Sequence, residues 1–223
     1  ELKKKFKEVY GHVDADKASL PEFVKFMVFD TDVQGTLQKS RRQAVNAVSG
    51  KVLDVEFDPA EVIPMAAEDA GEYVMSPQNK DQFGWVPLEN TKVLDALKDL
   101  DKGAGQIRLF GRVAHFFNYA DIRKALTDGI NQIQLARHGN AHFEPLGNDD
   151  DLEIHIVTSL AGGTGSGMFM DVGMLVREIL DSQGDKADIH GYFVMPSVFS
   201  YLASTEDMKR TKPNAMGALK ELD

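Results

Sequence analysis

The feature that most constrains the fold is a glycine-rich segment at residues 158–167, which reads T-S-L-A-G-G-T-G-S-G. It ends an apolar segment, 152–159, that has the pattern of a β-strand, and it precedes residues 168–181, whose apolar positions recur at helical spacing. The N-terminus of a helix leaves backbone N–H groups without intrahelical partners and carries partial positive charge. Glycines let a ligand approach that backbone closely. This order of strand, glycine loop and helix therefore predicts a phosphate-binding turn.

Several known glycine loops do not match this spacing. A P-loop requires a lysine after its last glycine, and no lysine follows Gly167. Gly163, Gly165 and Gly167 are spaced G-x-G-x-G, whereas dinucleotide-binding folds use G-x-G-x-x-G. The kinase loop joins two strands, and the esterase pattern G-x-S-x-G does not fit around Ser166. A tight turn in which glycine only permits close packing is the structural alternative.

Strand and helix patterns alternate along the chain, which predicts βαβ units. The expected fold is α/β and Rossmann-like, with three layers in which helices flank a mainly parallel sheet. Ligands on such sheets bind at the carboxyl ends of the strands. The chain, 1–223, is expected to form a single domain with an irregular insert at 51–90. The predicted strands are 23–29, 152–159 and 188–195, and the predicted helices are 1–10, 36–48, 91–100, 112–136 with a break near Asn118, 168–181 and 214–222.

Composition narrows the functional classes. With 43% hydrophobic and 27% charged residues, the chain resembles ordinary globular domains. It has no cysteine, which excludes disulfides and thiolate metal sites and fits a cytoplasmic protein. A net charge of −10 disfavours nucleic acid as a partner. No apolar run approaches the ~18 residues of a membrane span, and the lysine-rich start lacks the apolar core of a signal peptide.

Residues Ala161–Gly167, A-G-G-T-G-S-G, closely resemble the signature G-G-G-T-G-S/A-G of the tubulin/FtsZ superfamily, with Ala161 in place of the first glycine. Other landmarks follow in the family's order. Residues 30–34, D-T-D-V-Q, resemble its second loop, N-T-D-A-Q, and 103–105, G-A-G, resemble the start of its third loop. The segments V-M-P, E-D-M-K-R and G-A-L-K-E-L, at 194–196, 206–210 and 217–222, resemble V-x-x-P, E-G-K-K-R and G-I-x-E-L. These landmarks indicate a divergent, tubulin-like bacterial protein.

The resemblance implies that the chain binds GTP or GDP with Mg²⁺. The signature loop would wrap the α- and β-phosphates, and the backbone N–H groups of residues 103–105 would hold the γ-phosphate as an anion-binding nest. The residues that the resemblance assigns to the nucleotide are Ala161, Gly162, Gly163, Thr164, Gly165, Ser166, Gly167, Gly103, Ala104, Gly105, Gln34, Glu206 and Arg210.

The side chains in this set have separate implied roles. Asp32 matches the acidic position linked to the magnesium-bound γ-phosphate, and Gln34 is a weaker candidate for the same water shell. Glu206 matches the carboxylate that binds the ribose, and Arg210 matches an arginine near the ribose and base. Gln106 and Arg108 depart from the family's usual asparagine-proline continuation of the third loop, although Arg108 could still neutralise phosphate.

The family further implies a GTPase that self-associates into filaments and hydrolyses GTP with metal assistance. Its first glycine loop and its acidic catalytic loop are expected before residue 1 and after residue 223, so the chain is expected to be part of a longer protein. The alternatives are a nucleotide-binding scaffold that does not hydrolyse and an interaction module with a degenerate pocket.

Other polar residues have ordinary explanations. Asp30 and Asp32 would by default cap the next helix. His138 and His142 are four apart, but Gly139 and Asn140 break the helix between them and no third zinc ligand is evident. The acidic run at 149–151 lacks the alternating pattern of a calcium loop.

Overall fold

The computed structural model describes residues 2–10, 12–14, 17–32, 35–36, 42–45, 50, 52–65, 67, 69–87, 89–90, 93, 95, 97, 100, 103–136, 152–199 and 205–223. Contacts divide the chain into two compact units. Unit 1 comprises Glu1–Val28, Val33–Ile63 and Lys124–Asp150, and unit 2 comprises Phe29–Asp32, Pro64–Arg123 and Asp151–Asp223. The single domain expected from the sequence stays a prediction.

Among the described residues, strand and helix alternate strictly only from Leu152 to Leu222, so the alternation predicted for the whole chain is wrong before that segment. The helices are α1 (Leu2–Tyr10), α2 (Ala70–Met75), α3 (Arg108–Phe117), α4 (Tyr119–Ala136), α5 (Thr164–Gln183) and α6 (Thr205–Leu222). The strands are β1 (His12–Asp14), β2 (Lys17–Ser19), β3 (Val28–Asp30), β4 (Arg42–Val45), β5 (Val52–Val55), β6 (Val62–Pro64), β7 (Leu152–Ser159) and β8 (Ala187–Val194). Short 3-10 turns lie at Pro59–Glu61, Pro77–Asn79 and Pro196–Phe199.

The strands pair two by two over the described residues. β1 pairs with β2 and β4 with β5, both antiparallel, and β3 pairs with β6. β7 and β8 are parallel, in a register that runs from Leu152 opposite Ala187 to Ser159 opposite Val194. The helices and this parallel pair confirm the α/β class, whereas the three-layer arrangement stays a prediction.

In unit 1 the predicted helix 36–48 is helical at Thr36 but wrong at Arg42–Val45, which is a strand. These residues pair along their length with Val52–Val55, which is rich in β-branched valine. Pairing with a distant segment outweighs the local helical pattern. Near this sheet α1 is anchored by the buried Lys3, whose Nζ donates to the Glu56 carbonyl (3.0 Å) and forms an ion pair with Glu61.

The segment 51–90 is more regular than predicted. It contains β5, β6, α2 and two 3-10 turns. In unit 2 it buries Phe83 completely, and the Phe83 ring packs edge-on against Phe116 with centroids 4.9 Å apart. The predicted strand 23–29 is reduced to β3, because residues 22–23 form a turn and residues 24–27 have no regular structure.

The break predicted near Asn118 is confirmed. α3 ends at Phe117 and α4 begins at Tyr119, and the Asn118 side chain donates to the Ala114 carbonyl (2.8 Å) at the end of α3. An asparagine amide that bonds local carbonyls in this way competes with the helical pattern.

The last helix is longer than predicted. α6 begins at Thr205 rather than at residue 214, and it contains Pro213 in its interior. Proline removes one helical hydrogen bond at a cost of about 3 kcal/mol, so the sequence indicated a helix start there. Burial provides a reason for the continuous helix, since Thr211 before the proline is buried, as are Ala215 and Ala218 after it. We find no helix in the described residues with the length and hydropathy of a membrane span.

Candidate functional site

The glycine loop is a short connection between β7 and α5. β7 ends at Ser159 and α5 begins at Thr164, earlier than the predicted residue 168. The Leu160 N–H donates to the Val194 carbonyl (3.0 Å) at the end of β8, and the Ala161 N–H donates to Ser159 Oγ (3.1 Å). These bonds hold the loop at the carboxyl ends of both parallel strands, the position where α/β sheets bind ligands.

Backbone donors accumulate in this loop. Within the described part of the chain, the N–H groups of residues 162–166 have no hydrogen-bond acceptor, and the first bond of the helix runs from the Gly167 N–H to the Gly163 carbonyl (3.1 Å). Gly163 is the N-cap residue, and no side chain caps the helix. The helix dipole adds about half a positive charge at this point. The loop can therefore receive an anion on a run of donors.

Packing explains most of the loop's glycines. A Cβ atom at Gly163 would lie 2.7 Å, and one at Gly167 2.1 Å, from the nearest atom of the segment 104–108. A Cβ atom at Gly165 would lie 1.9 Å from Thr158 Oγ1. The tight-packing explanation thus applies to these three positions, where no larger residue fits without movement.

Gly162 and Ser166 differ from these positions in opposite ways. A Cβ atom at Gly162 would meet no atom within 4 Å, so this glycine faces open space. Ser166 is fully buried, and its hydroxyl donates to the Gly162 carbonyl, with the Gly163 carbonyl at 3.4 Å. The Ser166 side chain therefore braces the loop from inside the protein.

Thr31 joins the glycine loop to two other predicted loops. Its side chain is buried, and its Oγ1 accepts a hydrogen bond from the Ala104 N–H (2.9 Å) and lies 2.8 Å from Thr164 Oγ1. Thr31 itself belongs to the D-T-D segment that follows β3. One hydroxyl group thus brings together the loops that resemble the second loop, the third loop and the signature of the family.

Asp32 lies beside this junction with its side chain exposed. A Cβ atom at Gly103 would lie 3.8 Å from Asp32 Cβ, so the two residues are neighbours. The Asp32 N–H donates to Asp30 Oδ1 (3.1 Å), a local turn that orients the segment. Gln34 lies outside the described residues.

The 103–105 loop has an unusual backbone. Positive φ values occur at Gly103 (111°), Gly105 (54°) and Gln106 (59°). Gln106 is the residue of this group with a side chain, and its backbone adopts the left-handed region that side chains disfavour. The Gly103 N–H donates to the Leu100 carbonyl (3.2 Å), and the Ala104 N–H is taken by Thr31. Of the three backbone donors assigned to the γ-phosphate, that of Gly105 has no acceptor among the described residues.

α6 contacts the site through Asn214. The Nδ2 atom of this buried side chain lies 2.8 Å from the Gln106 carbonyl, 3.0 Å from that of Ala161 and 3.2 Å from that of Gly162. Arg210 is exposed on the same helix, whereas the side chain of Glu206 lies outside the described residues.

Arg108 links three helices. Its Nε donates to the Ser166 carbonyl (2.8 Å), and its two Nη atoms bind the carboxylate of Glu221, one of them at 3.0 Å. This paired hydrogen bond lowers the pKa of Glu221, with a smaller contribution from the charge of Arg112. The guanidinium that the sequence offered as a phosphate partner is thus engaged by a carboxylate.

Two of these structural residues were not assigned from sequence. Thr31 lies within the D-T-D segment that resembles a family loop. The sequence therefore located the residue in a candidate loop but did not indicate that its hydroxyl joins that loop to two others. Asn214 carried no signal, because its partners are the backbone carbonyls of segments far away in the chain.

The described residues do not test the alternative metal sites. His138, His142 and the acidic run 149–151 lie outside the described residues. The described residues contain no group of three or more histidine or acidic side chains able to hold a metal ion.

Unit 2 also has a cavity of about 450 Å³, lined by Met195, Pro196, Met216 and Leu219 among others.

A parallel βαβ unit, with an uncapped glycine turn and two loops gathered at it, defines an α/β protein with a candidate phosphate site. The family model described as "Tubulin like" matches residues 1–223, and the chain belongs to this tubulin-like family. The family membership indicated by the sequence landmarks is therefore confirmed. Comparisons with curated proteins and with solved structures found no match.

Proposed function

We propose that this tubulin-like protein binds GTP, with the α- and β-phosphates on the loop Ala161–Gly167. The observation that carries the proposal is the Thr31 hydroxyl, which lies within hydrogen-bond distance of both Thr164 and Ala104. Loops that the family uses on one nucleotide are thus in contact around a single side chain. The choice of GTP over other purine nucleotides follows from family membership.

The backbone of residues 162–166 supplies the phosphate donors in this proposal. Each hydrogen bond to a charged group contributes roughly 1.5–3 kcal/mol, so a few of them reach the approximately −8 kcal/mol of micromolar affinity. Gly162 is the position at which the loop surface is open to a ligand. Thr164 is a half-buried residue, whereas the Ser166 hydroxyl supports the loop from inside.

Asp32 and Gln34 are the proposed partners of Mg²⁺. An exposed carboxylate beside Gly103 fits this ion, which prefers one or two carboxylates together with phosphate oxygens and water. When bound, the ion would neutralise phosphate charge. Asp30 holds the backbone of Asp32 in place through its carboxylate.

The nucleoside end of the ligand is assigned to α6. Glu206 is proposed to bind the ribose and Arg210 to lie near the ribose and base. Arg210 is exposed and is therefore accessible to a ligand.

GTP hydrolysis and filament formation are further proposed activities, by family membership. A nucleotide-binding scaffold that does not hydrolyse is the second candidate. It is favoured by the engagement of two groups that would otherwise serve the γ-phosphate: the Ala104 N–H bonds Thr31, and Arg108 bonds Glu221. Two assays separate the candidates. Release of labelled phosphate from GTP measures hydrolysis, and light scattering measures assembly into filaments.

The test of the central proposal is a calorimetric titration of the chain with GTP and with ATP, in Mg²⁺ and in EDTA. Gly162→Val places a side chain on the open face of the loop, and we expect it to abolish GTP binding while the protein stays folded. Gly84→Val is the matched control, because a Cβ atom there would meet nothing closer than 3.8 Å and the residue is exposed. Equal affinity of the wild type and Gly162→Val would refute the site.

A further inference from the structure

We infer that Asn214 is the positioning residue of the phosphate loop, because its amide group orients the peptide units that carry the first phosphate donors. The inference rests on the proposed function for the identity of the ligand. Asn214 lies on α6 and is 9% exposed, so it reaches the loop from within the protein.

The contacts identify the amide nitrogen as the atom that faces the loops. Nδ2 lies 2.8, 3.0 and 3.2 Å from the carbonyl oxygens of Gln106, Ala161 and Gly162. Carbonyl oxygens only accept hydrogen bonds, so an NH₂ group is the part of the side chain that can satisfy them. Two N–H bonds shared among three acceptors hold both loops to the same helix.

The geometry of the peptide bond turns these contacts into a direction for the donors. In a planar trans peptide the carbonyl of one residue and the N–H of the next point in opposite directions. When Asn214 draws the carbonyls of Ala161 and Gly162 toward α6, the N–H groups of Gly162 and Gly163 point away from it. These are the first two N–H groups of the segment that has no acceptor among the described residues.

Two further contacts reinforce this arrangement. The Ser166 hydroxyl also donates to the Gly162 carbonyl, so that oxygen is held from two sides. The third acceptor of Asn214 is the carbonyl of Gln106, the residue with a left-handed φ of 59°. Asn214 therefore stabilises the strained end of the 103–105 loop together with the glycine loop.

The experiment compares Asn214→Leu, which removes the donors at similar volume, with Glu221→Gln. The second variant weakens another contact between α6 and the site, the pair with Arg108, without removing a donor to the loop carbonyls. The readouts are the amide ¹H–¹⁵N resonances and hydrogen exchange of Gly162 and Gly163 in the ligand-free protein, the calorimetric affinity for GTP, and the urea unfolding curve.

We expect Asn214→Leu to move both amide resonances and to weaken GTP binding about tenfold, the effect of one or two misplaced hydrogen bonds. We expect Glu221→Gln to leave both unchanged even if it lowers stability. Unmoved resonances in a folded Asn214→Leu, or equal movement in Glu221→Gln, would overturn the inference.

Asn214→Gln retains the amide and should recover much of the lost affinity. If Asn214→Leu does not fold, Asn214→Ala, which removes the amide without adding bulk, takes its place, and unmoved resonances in that variant would overturn the inference. A wild type that binds no GTP refutes the proposed function alone, and the ligand-free resonances still decide the role of Asn214.

Discussion

The Oγ1 atoms of Thr31 and Thr164 lie 2.8 Å apart, although the two residues are 133 positions apart in the sequence. The same Thr31 oxygen accepts the Ala104 N–H. A ligand that moves Thr164 or Ala104 would therefore also disturb the hydrogen bonds of the Thr31 hydroxyl. This contact directly joins two segments that resemble separate nucleotide loops.

Thr31→Val is predicted to lower the free energy of unfolding by about 1–3 kcal/mol, because the buried Ala104 N–H loses its acceptor. It should also weaken GTP binding, since two loops lose a common partner. Urea denaturation and calorimetry measure the two effects. Thr31→Ser, which keeps the hydroxyl, serves as the control and should fall closer to the wild type in both measurements.

Substitutions at neighbouring glycines are predicted to separate packing from ligand binding. Gly163→Ala should destabilise the protein by about 3 kcal/mol, because its Cβ atom would lie 2.7 Å from the Ala104 Cβ atom and 2.9 Å from the Ala104 carbonyl oxygen. Gly162→Ala should change stability by less than about 0.5 kcal/mol, because its Cβ atom meets open space. Equal unfolding midpoints for the two variants would contradict this packing.

Asp32→Asn is predicted to weaken GTP binding in Mg²⁺ and to leave the affinity in EDTA nearly unchanged, because the proposed role of the carboxylate is to contact the ion. Calorimetric titrations under both conditions measure the difference. Asp69→Asn, at another exposed aspartate, is the control. A similar loss with and without Mg²⁺ would argue against a metal role for Asp32.

Stability is predicted to fall as the pH drops below 6.5, through protonation of His115. Burial lowers the pKa of His115, the charge of Arg112 lowers it further, and Asp171 on α5 opposes them. The Nε2 atom of His115 is buried and has no hydrogen-bond partner among the described residues. A lowered pKa means that the fold favours the neutral ring, so its contribution is present above pH 6.5 and is lost as the pH falls through the folded-state pKa.

Urea unfolding of the wild type and His115→Phe between neutral and mildly acidic pH tests this prediction. The phenylalanine variant should lose less stability over the range, because it has no ring to protonate. His190→Gln, at an exposed position, controls for loss of a histidine. Parallel pH curves for the wild type and His115→Phe would show that another group is responsible.

A second pH effect is predicted at lower pH, from Glu221. Its pKa is lowered from the usual 4.5 by the hydrogen bonds from Arg108, so its contribution is present above that value and is lost as the pH falls below it. The carboxylate is partly exposed, which limits the contribution to about 1 kcal/mol. Glu221→Gln should flatten this acidic part of the stability curve, and 1 M salt should reduce the effect in the wild type.

Local patterns predicted the part of the fold that carries the site. The strand 152–159 agrees with β7, the break at Asn118 is present, and the helix after the glycines begins only slightly early. In this segment the apolar periodicity, the glycines and the neighbouring strand all indicate the same structure. Within the predicted helix 36–48 the prediction was wrong at Arg42–Val45, where β4 pairs with β5, since strand pairing depends on residues outside the local window.

By itself, the sequence determined the order of strand, glycine loop and helix and the membership in the tubulin-like family, because both are carried by short segments whose residues and order along the chain can be read directly. Only the tertiary structure decided which glycines are required for packing and that Gly162 faces open space. It also decided that Thr31 and Asn214 hold the loops together. Those roles depend on hydrogen bonds and contacts between segments that meet only after folding, and no local pattern encodes such distances.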